Sequence, residues 1–209
     1  MKLKIKKTNN IFGEVKISGS KNACLPILTT ALLTKEEIHL KNVPNIKDVD
    51  YMIELLKLVG VKIIRNENTN EVIMKRRKIK SKIKSPYLNQ IRASYYLMGG
   101  LFSEKRSVKT IIPGGCNFEK RPIDYHLQAF RQMGAKIKIN NNDICIKRKK
   151  KNPINITLIN KSLGTTINII LATVKTKGTT IINNPSLHMA PPTVVASFSS
   201  NLIFSKVNV

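Results

Sequence analysis

The chain has 209 residues, 42% of them hydrophobic, which is enough for one sizeable core or for a few small subdomains that share one. Its formal charge is +25, and no run approaches the roughly 18 consecutive apolar residues of a membrane span. Three scattered cysteines exclude a disulfide framework, no Cys/His spacing fits a zinc site, and no apolar segment follows the basic N-terminus, so we expect a cytoplasmic protein without a metal or cofactor.

The first predicted unit begins with an apolar stretch of helical length. This stretch, ACLPILTTALL, is followed by a short polar turn and the strand EIHLKN. Asp50 then opens the run DYMIELLKLVGVKI, in which apolar residues recur at helical spacing. Gly60 is the expected C′ cap because glycine adopts a positive φ without steric cost. The strands VKII and EVIMKR complete the unit.

The same order of helices and strands returns about 70 residues later. This interval is far longer than the repeat of a solenoid. The stretch RASYYLMGGLF predicts a helix, and SVKTIIP predicts the strand after it. Asp124 opens the run DYHLQAFRQMGAKI, Gly134 takes the capping position, and the strands AKIKI and DICIKR follow. The matched spacing of Asp-Tyr, glycine and Lys-Ile therefore indicates an internal repeat of helix, strand, loop, helix, strand, strand.

A third unit begins with the helix GTTINIILATV and the strand GTTIINN. After Asn184 no aspartate opens a second helix, no glycine takes the capping position, and Pro191-Pro192 obstructs a helix. We therefore expect three units, at about 19–85, 86–152 and 153–209, with the third truncated. Packed around buried helices, they predict an α/β (α+β) fold.

A loop cysteine is the most reactive candidate. Cys116 follows two glycines, and Lys120 and Arg121 lie within five residues, so their charges favour the thiolate. A cysteine in such a loop is a candidate acid or nucleophile, and the alternative is an incidental free thiol. We expect Cys24, in an apolar stretch, and Cys145, in a strand, to serve packing.

Four segments carry a resemblance to a known family: GEVKISGSKNACLPIL, NVPNIKDVD, IRAS and PGGCNFEKRPIDYHL. From about Gly13 to Asn184 the chain resembles the N-terminal half of the UDP-N-acetylglucosamine enolpyruvyl transferases, which make the first committed precursor of peptidoglycan. Members have two similar domains, each of three βαβαββ units, that form an inside-out α/β barrel with the active site between them. The resemblance implies that residues 19–209 form one such domain and that residues 1–18 belong with the second.

The resemblance also implies roles for individual residues. It makes Cys116 the proton donor to the methylene carbon of phosphoenolpyruvate and the site of a covalent adduct with it. Lys21 and Asn22 hold phosphoenolpyruvate and the sugar, and the guanidinium groups of Arg92 and Arg121 face the anionic groups of the substrates. The stretches that contact the nucleotide are Arg121, Pro122, Ile123, Asp124, Tyr125, His126 and Leu127, and then Asn160, Lys161, Ser162, Leu163 and Gly164.

Plainer readings of some of these residues stay open. Lys21 also fits an ordinary solvated lysine at the start of a helix. Asp124 also fits a helix N-cap, the role we expect for Asp50 in the first unit. Neither reading excludes the roles that the resemblance implies.

The implied reaction transfers the enolpyruvyl group of phosphoenolpyruvate to the 3-hydroxyl of UDP-N-acetylglucosamine. The resemblance places the proposed base and further arginines in the second half, so we expect this chain to need that half as a separate chain. The related shikimate-pathway transferases lack the loop cysteine.

The alternative of another class is a non-catalytic basic module that binds nucleotides or RNA, because lysine and arginine concentrate at 75–84 and 147–151. Neither run is interleaved with aromatic residues, and Lys, Ile and Asn in excess together are typical of adenine- and thymine-rich codons. We therefore expect no main role in nucleic-acid binding.

Overall fold

The elements follow the predicted chain order. The computed structural model describes residues 3–7, 10, 12–114, 123–186 and 207–208. Its α-helices are α1 (Lys21–Thr29), α2 (Lys47–Val59), α3 (Tyr96–Glu104), α4 (Asp124–Gln132) and α5 (Leu163–Thr173), and short 3₁₀ helices span Thr30–Leu32, Pro86–Asn89 and Arg92–Tyr95. Its strands are β1 (Ile38–Lys41), β2 (Val61–Asn66), β3 (Glu71–Arg76), β4 (Ser107–Ile111), β5 (Lys136–Asn140), β6 (Asp143–Lys147), β7 (Asn155–Thr157), β8 (Ile181–Asn183) and β9 (Val207–Asn208).

The internal repeat is confirmed by the sheets. In the first unit the strand order is β2-β3-β1, and in the second it is β5-β6-β4, with antiparallel neighbours in both. In the third unit, β7 and β8 pair in parallel across the connecting helix α5. In the second unit a single parallel bridge joins Lys82 to Lys109 of β4. In the first unit β9 pairs in parallel with β1. The chain therefore folds as α/β units, as predicted.

The three apolar helices are buried at the centre of the molecule. Eight of the nine residues of α3 are buried, and α1 and α5 each bury seven. One hydrophobic cluster includes residues of all five helices. Helices α3 and α5 approach so closely that a Cβ on Gly99 would overlap the side chain of Asn168. Because α3 and α5 are mostly apolar and bury most of their residues, they are stable only inside the domain.

Two details of the second helices differ from the prediction. Asp50 is not the N-cap of α2, since α2 begins at Lys47 and Ile46 is the cap, and the Asp50 carboxylate instead pairs with Arg65. Asp124 is the first residue of α4 and not its cap. The two glycines are confirmed as left-handed positions, with φ of 108° at Gly60 and 78° at Gly134.

The N-terminal segment is extended and makes no regular secondary structure in its described residues. The apolar side chains along it are exposed: Leu3, Ile5, Phe12, Val15 and Ile17. That residues 1–18 belong with a second domain stays a prediction. The predicted obstruction at Pro191-Pro192 lies outside the described residues.

Candidate functional site

The N-terminal ends of the five described helices meet at one cleft of about 600 Å³. Lys21 and Asn22 come from α1, Asp48 from α2, Tyr96 from α3, and the other lining residues include the first turns of α4 and α5. Free backbone N–H groups and the partial positive charge at a helix N-terminus favour anions. The repeat therefore places the N-termini of four helices, and the 3₁₀ turn that leads into α3, around a single cavity, which suits an anionic ligand.

Most of the predicted site residues that the structure describes line this cleft. They are Lys21, Asn22, Arg92, Tyr125, His126, Lys161, Ser162, Leu163 and Gly164. Asn160 lies beside it and donates from Nδ2 to the Tyr125 hydroxyl at 2.8 Å. Ile123 and Asp124 do not line it, and Leu127 is buried in the core. Cys116, Arg121 and Pro122 lie outside the described residues.

An ion pair orients the lysine at one wall of the cleft. The Nζ atom of Lys21 lies 3.0 Å from Oδ2 of Asp48, and both side chains are partly exposed. Ser20 caps α1 by accepting a hydrogen bond from the backbone N–H of Ala23 at 3.4 Å. Lys21 therefore stands at the start of a helix, as predicted, and it is held by a carboxylate in the same cleft.

The start of α5 forms another part of the cleft wall. The hydroxyl of Ser162 caps this helix by accepting from the backbone N–H of Thr165 at 3.3 Å. A Cβ on Gly164 would overlap the phenol of Tyr95, so only glycine lets the helix end lie against that ring. The first amides of α5 are thus brought close to the cleft, where they suit a phosphate group.

His126 is a buried ionisable group in the wall of the cleft. Its ring packs on Tyr95, with 4.3 Å between ring centroids, and its Nδ1 lies 3.1 Å from Nδ2 of Asn168. Burial, with a smaller contribution from the charge of Arg92, lowers the pKa of His126 to about 3. The imidazole is therefore neutral at physiological pH, and in this environment it serves as a hydrogen-bonding group rather than as a cation.

Sequence reasoning missed three polar residues of this region: Asp48, Tyr95 and Asn168. Asp48 lies in the quoted segment NVPNIKDVD, and Tyr95 follows Arg92 by three residues. Asn168 is the one polar residue within INIILA, and it is almost fully buried. An amide inside an apolar helix is a signal in itself, because a buried amide requires partners.

The other two cysteines differ in burial. Cys24 is fully buried in α1, and burial raises its pKa to about 12, against a smaller opposing effect of Arg65. The packing role predicted for Cys24 is confirmed. Cys145 is half-buried, on the face of β6 opposite Ile144 and Ile146.

The start of the cysteine loop is held against the body of the protein. The N–H of Gly114 donates to the carbonyl of Leu88 at 3.1 Å. A Cβ on Gly114 would overlap the backbone of Asn89, so the close approach requires glycine.

The described residues contain neither a membrane-spanning helix nor a cluster of side chains placed for a metal ion. The longest helix there has 13 residues, and no described helix is long and apolar enough for a membrane span. Among the same residues, no cluster of three or more His, Cys, Asp or Glu side chains is placed to hold a metal ion.

The fold is that of the enolpyruvyl transferases. The enolpyruvyl transferase NikO from Streptomyces tendae superposes with a TM-score of 0.79 at 14% identity, over 96% of this chain and 52% of that one. EPSP synthase from Acinetobacter baumannii superposes with a TM-score of 0.68 at 19% identity, over 84% of this chain and 41% of that one. At these identities the comparison establishes the fold alone.

The chain belongs to the EPSP synthase (3-phosphoshikimate 1-carboxyvinyltransferase) family, whose model matches residues 5–197. Its curated relatives include the UDP-N-acetylglucosamine 1-carboxyvinyltransferase of Elusimicrobium minutum, 40% identical over 82% of this chain and 40% of the relative. The enzyme of the same name from Halothermothrix orenii is 36% identical over 88% of this chain and 44% of its own. The chain spans less than half the length of these relatives.

Proposed function

We propose that this chain provides the N-terminal half of an enzyme that transfers the enolpyruvyl group of phosphoenolpyruvate to the 3-hydroxyl of UDP-N-acetylglucosamine. The transfer joins the sugar oxygen to the central carbon of phosphoenolpyruvate and releases phosphate. In a cell the resulting enolpyruvyl sugar nucleotide is the first committed precursor of peptidoglycan. The observation that carries the proposal is the cleft, where helix N-termini and three cationic side chains meet in a chain whose curated relatives bear this activity in their names.

The proposed roles of the cleft residues follow from their chemistry. Lys21 and Arg92 supply fixed positive charge for the phosphate and carboxylate of phosphoenolpyruvate. Lys161 and the first amides of α5 suit the diphosphate of the nucleotide, since Ser162 caps that helix beside the cleft. Asn22 and Tyr125 add neutral hydrogen-bonding groups for sugar and nucleotide.

We assign the proton transfer to Cys116, with Arg121 as a partner for substrate anions. Protonation of the methylene carbon makes the neighbouring carbon electrophilic, so the sugar oxygen adds there and its hydroxyl proton passes to a base. Loss of a proton from the newly formed methyl group, together with phosphate, then restores the double bond. Lys120 and Arg121 lie close in the sequence and stabilise the thiolate that remains after Cys116 gives up its proton, and that thiolate can form the covalent adduct.

The proposal includes a second half as a partner. The resemblance implies that several groups for catalysis lie on a second domain that faces the cleft. Five exposed apolar side chains, interspersed with polar residues along 3–17, support this, because exposed apolar surface is stabilised when another surface covers it. We propose that residues 1–18 pack against that second domain.

Calorimetry and a phosphate-release assay test the proposal. The isolated chain should bind UDP-N-acetylglucosamine weakly and release almost no phosphate from phosphoenolpyruvate. Release should appear when the C-terminal half of a curated relative is added, because oriented groups from both sides are worth about 7–11 kcal/mol of the barrier. No binding of the sugar nucleotide would contradict the function, and robust release by the chain alone would contradict the need for a second half.

A matched pair of variants locates the binding site. Arg121→Ala should weaken binding by about 1.5–3 kcal/mol, the usual contribution of a charge-assisted contact. Arg131→Ala is the control, since Arg131 is exposed in the last turn of α4, away from the cleft. Equal affinities of the two variants would remove Arg121 from the proposed site.

Brief alkylation followed by peptide mass mapping tests the role of Cys116. We expect Cys116 to react first, because Cys24 is buried with a raised pKa and Cys145 is half-buried. Preferential labelling of Cys24 or Cys145 would contradict the assignment.

A second function, polyanion binding, is favoured by one surface. Lys82, Lys109 and Lys138 lie in register across neighbouring strands, on both sides of Cys145, and all three are exposed. Replacing the three lysines with glutamine should lower RNA retention and its salt dependence while sugar-nucleotide binding is kept. Tight RNA binding by the unmodified chain at near-physiological salt would favour this function over the enzymatic one.

A further inference from the structure

The side chain of Asn168 is inserted into the first turn of a neighbouring helix. Its Oδ1 accepts from the backbone N–H of Gly99 at 2.9 Å, and its Nδ2 donates to the carbonyl of Tyr95 at 3.1 Å. Gly99 and Tyr95 are four residues apart, so in a continuous α-helix they would bond to each other. Asn168, from α5, replaces that bond at the point where a 3₁₀ turn becomes α3.

These two bonds fix which end of the amide is oxygen. A backbone N–H can only donate and a carbonyl can only accept, so Oδ1 must face Gly99 and Nδ2 must face Tyr95. The second hydrogen on Nδ2 is then directed to Nδ1 of His126, at 3.1 Å. Nδ1 must accept that bond, and the proton of the neutral ring must lie on Nε2.

The Nε2 atom is the remaining polar atom of this ring. It makes no hydrogen bond with any residue that the structure describes. His126 is only 4% exposed, and it lines the cleft. A neutral N–H in a cleft wall suits an oxygen acceptor.

We propose that Asn168 is a positioning residue that fixes His126 as the Nε2–H tautomer, so that the imidazole donates a hydrogen bond to an oxygen of the bound uridine nucleotide. The inference rests on the proposed function for the identity of the ligand. It assigns no proton transfer to His126. The lowered pKa of His126 supports this, since an imidazole that stays neutral offers the same donor at any pH where the protein works.

Nitrogen-15 NMR of the histidine side chains tests the tautomer directly. In the unmodified chain, His126 should show a protonated Nε2 and an unprotonated Nδ1 at pH 6 to 8, and its Nε2 signal should shift when UDP-N-acetylglucosamine is added. The variants His39→Gln and His188→Gln assign the remaining signals. A protonated Nδ1 in the unmodified chain would overturn the inference whether or not any variant folds.

A variant then connects the tautomer to binding. Asn168→Leu should produce a fraction of the Nδ1–H tautomer and weaken UDP-N-acetylglucosamine by about tenfold, the order of one hydrogen bond. Thr173→Val is the matched control, because its hydroxyl bonds to Ile169 within the same helix. A folded Asn168→Leu protein with the original tautomer and affinity would overturn the inference, whereas failure of the unmodified chain to bind the nucleotide would contradict the proposed function.

Discussion

The first two repeats use the same local sequence for different purposes. Asp50 and Tyr51 in α2 correspond to Asp124 and Tyr125 in α4, and the next position is Met52 in one and His126 in the other. Met52 is fully buried in the core, while His126 lines the cleft. The repeat thus supplies the same helix twice, and the copy whose third residue lines the cleft carries a polar side chain there instead of an apolar one.

The tyrosines diverge in the same manner. Tyr51 stacks on Tyr87, with ring centroids 5.3 Å apart and 24° between planes. Tyr125 instead lines the cleft and accepts a hydrogen bond from Asn160. In the first repeat this helix position therefore contributes to packing, and in the second repeat it borders the cleft.

The largest difference between the repeats should appear at the two capping glycines. Gly60→Ala should lower the free energy of unfolding by about 3 kcal/mol or more, because its φ of 108° is strained for alanine and the new Cβ would overlap the backbone of Lys78. Gly134→Ala should cost about 1 kcal/mol, since only the positive φ is unfavourable and no atom lies within 4 Å. Urea denaturation measures both, and equal losses would show that the two caps are equivalent.

Exchanging the diverged position tests the division between core and cleft. Met52→His should cost about 3 kcal/mol, because a buried apolar side chain is lost and the imidazole has no Asn168 equivalent to satisfy it. Met52→Leu is the control and should cost less than about 1.5 kcal/mol. A Met52→His protein as stable as this control would mean that the first repeat already accepts a polar residue there.

Lowering the pH should reduce the free energy of unfolding through His126, whose equivalent in the first repeat, Met52, does not ionise. The pKa of His126 is lowered to about 3 in the folded protein, whereas an unfolded histidine has a pKa of about 6.5. Above about pH 6.5 both states are neutral and no dependence arises. Below it the unfolded chain binds a proton that the folded chain does not, so stability falls by up to about 1.4 kcal/mol per pH unit towards pH 3.

The measurement compares urea unfolding at pH 7.0, 6.0 and 5.0. His126→Gln should show a shallower loss of stability than the unmodified chain over this range, and Met52→Leu, which changes no ionisable group, should keep the original slope. Parallel curves for His126→Gln and the unmodified chain would contradict the burial of a neutral imidazole.

The order of the elements could be predicted from the sequence because its causes are local. Helical spacing, alternating strands and the two glycines each depend on residues close in the chain. The local sequence places the start of α2 four residues late because Asp50 resembles a cap, whereas the cap is Ile46 and Asp50 pairs with Arg65, 15 residues away. The pairing of Asp50 with a distant arginine therefore outweighs the capping preference that the local sequence indicates.

The cleft residues were predictable only where a family motif covered them. Neither the ion pair between Lys21 and Asp48 nor the insertion of Asn168 beside Gly99 has a local signature. The second joins residues 69 positions apart in two different repeats. Such contacts follow from how the units pack, which periodicity alone does not determine.

The smallest expected effect concerns the ion pair that the second repeat lacks. Arg65 pairs with Asp50 and also donates to the carbonyl of Pro44 at 3.3 Å, whereas the equivalent residue in the second repeat is Ile139. Because the Asp50 carboxylate is half-exposed, solvent screens the pair, and a double-mutant cycle of Arg65→Met with Asp50→Asn should give a coupling of about 0.2–1 kcal/mol. Adding 1 M salt should lower this coupling. A coupling of several kcal/mol that resists salt would mean that the pair, and not the apolar face of α2, fixes how the first repeat packs.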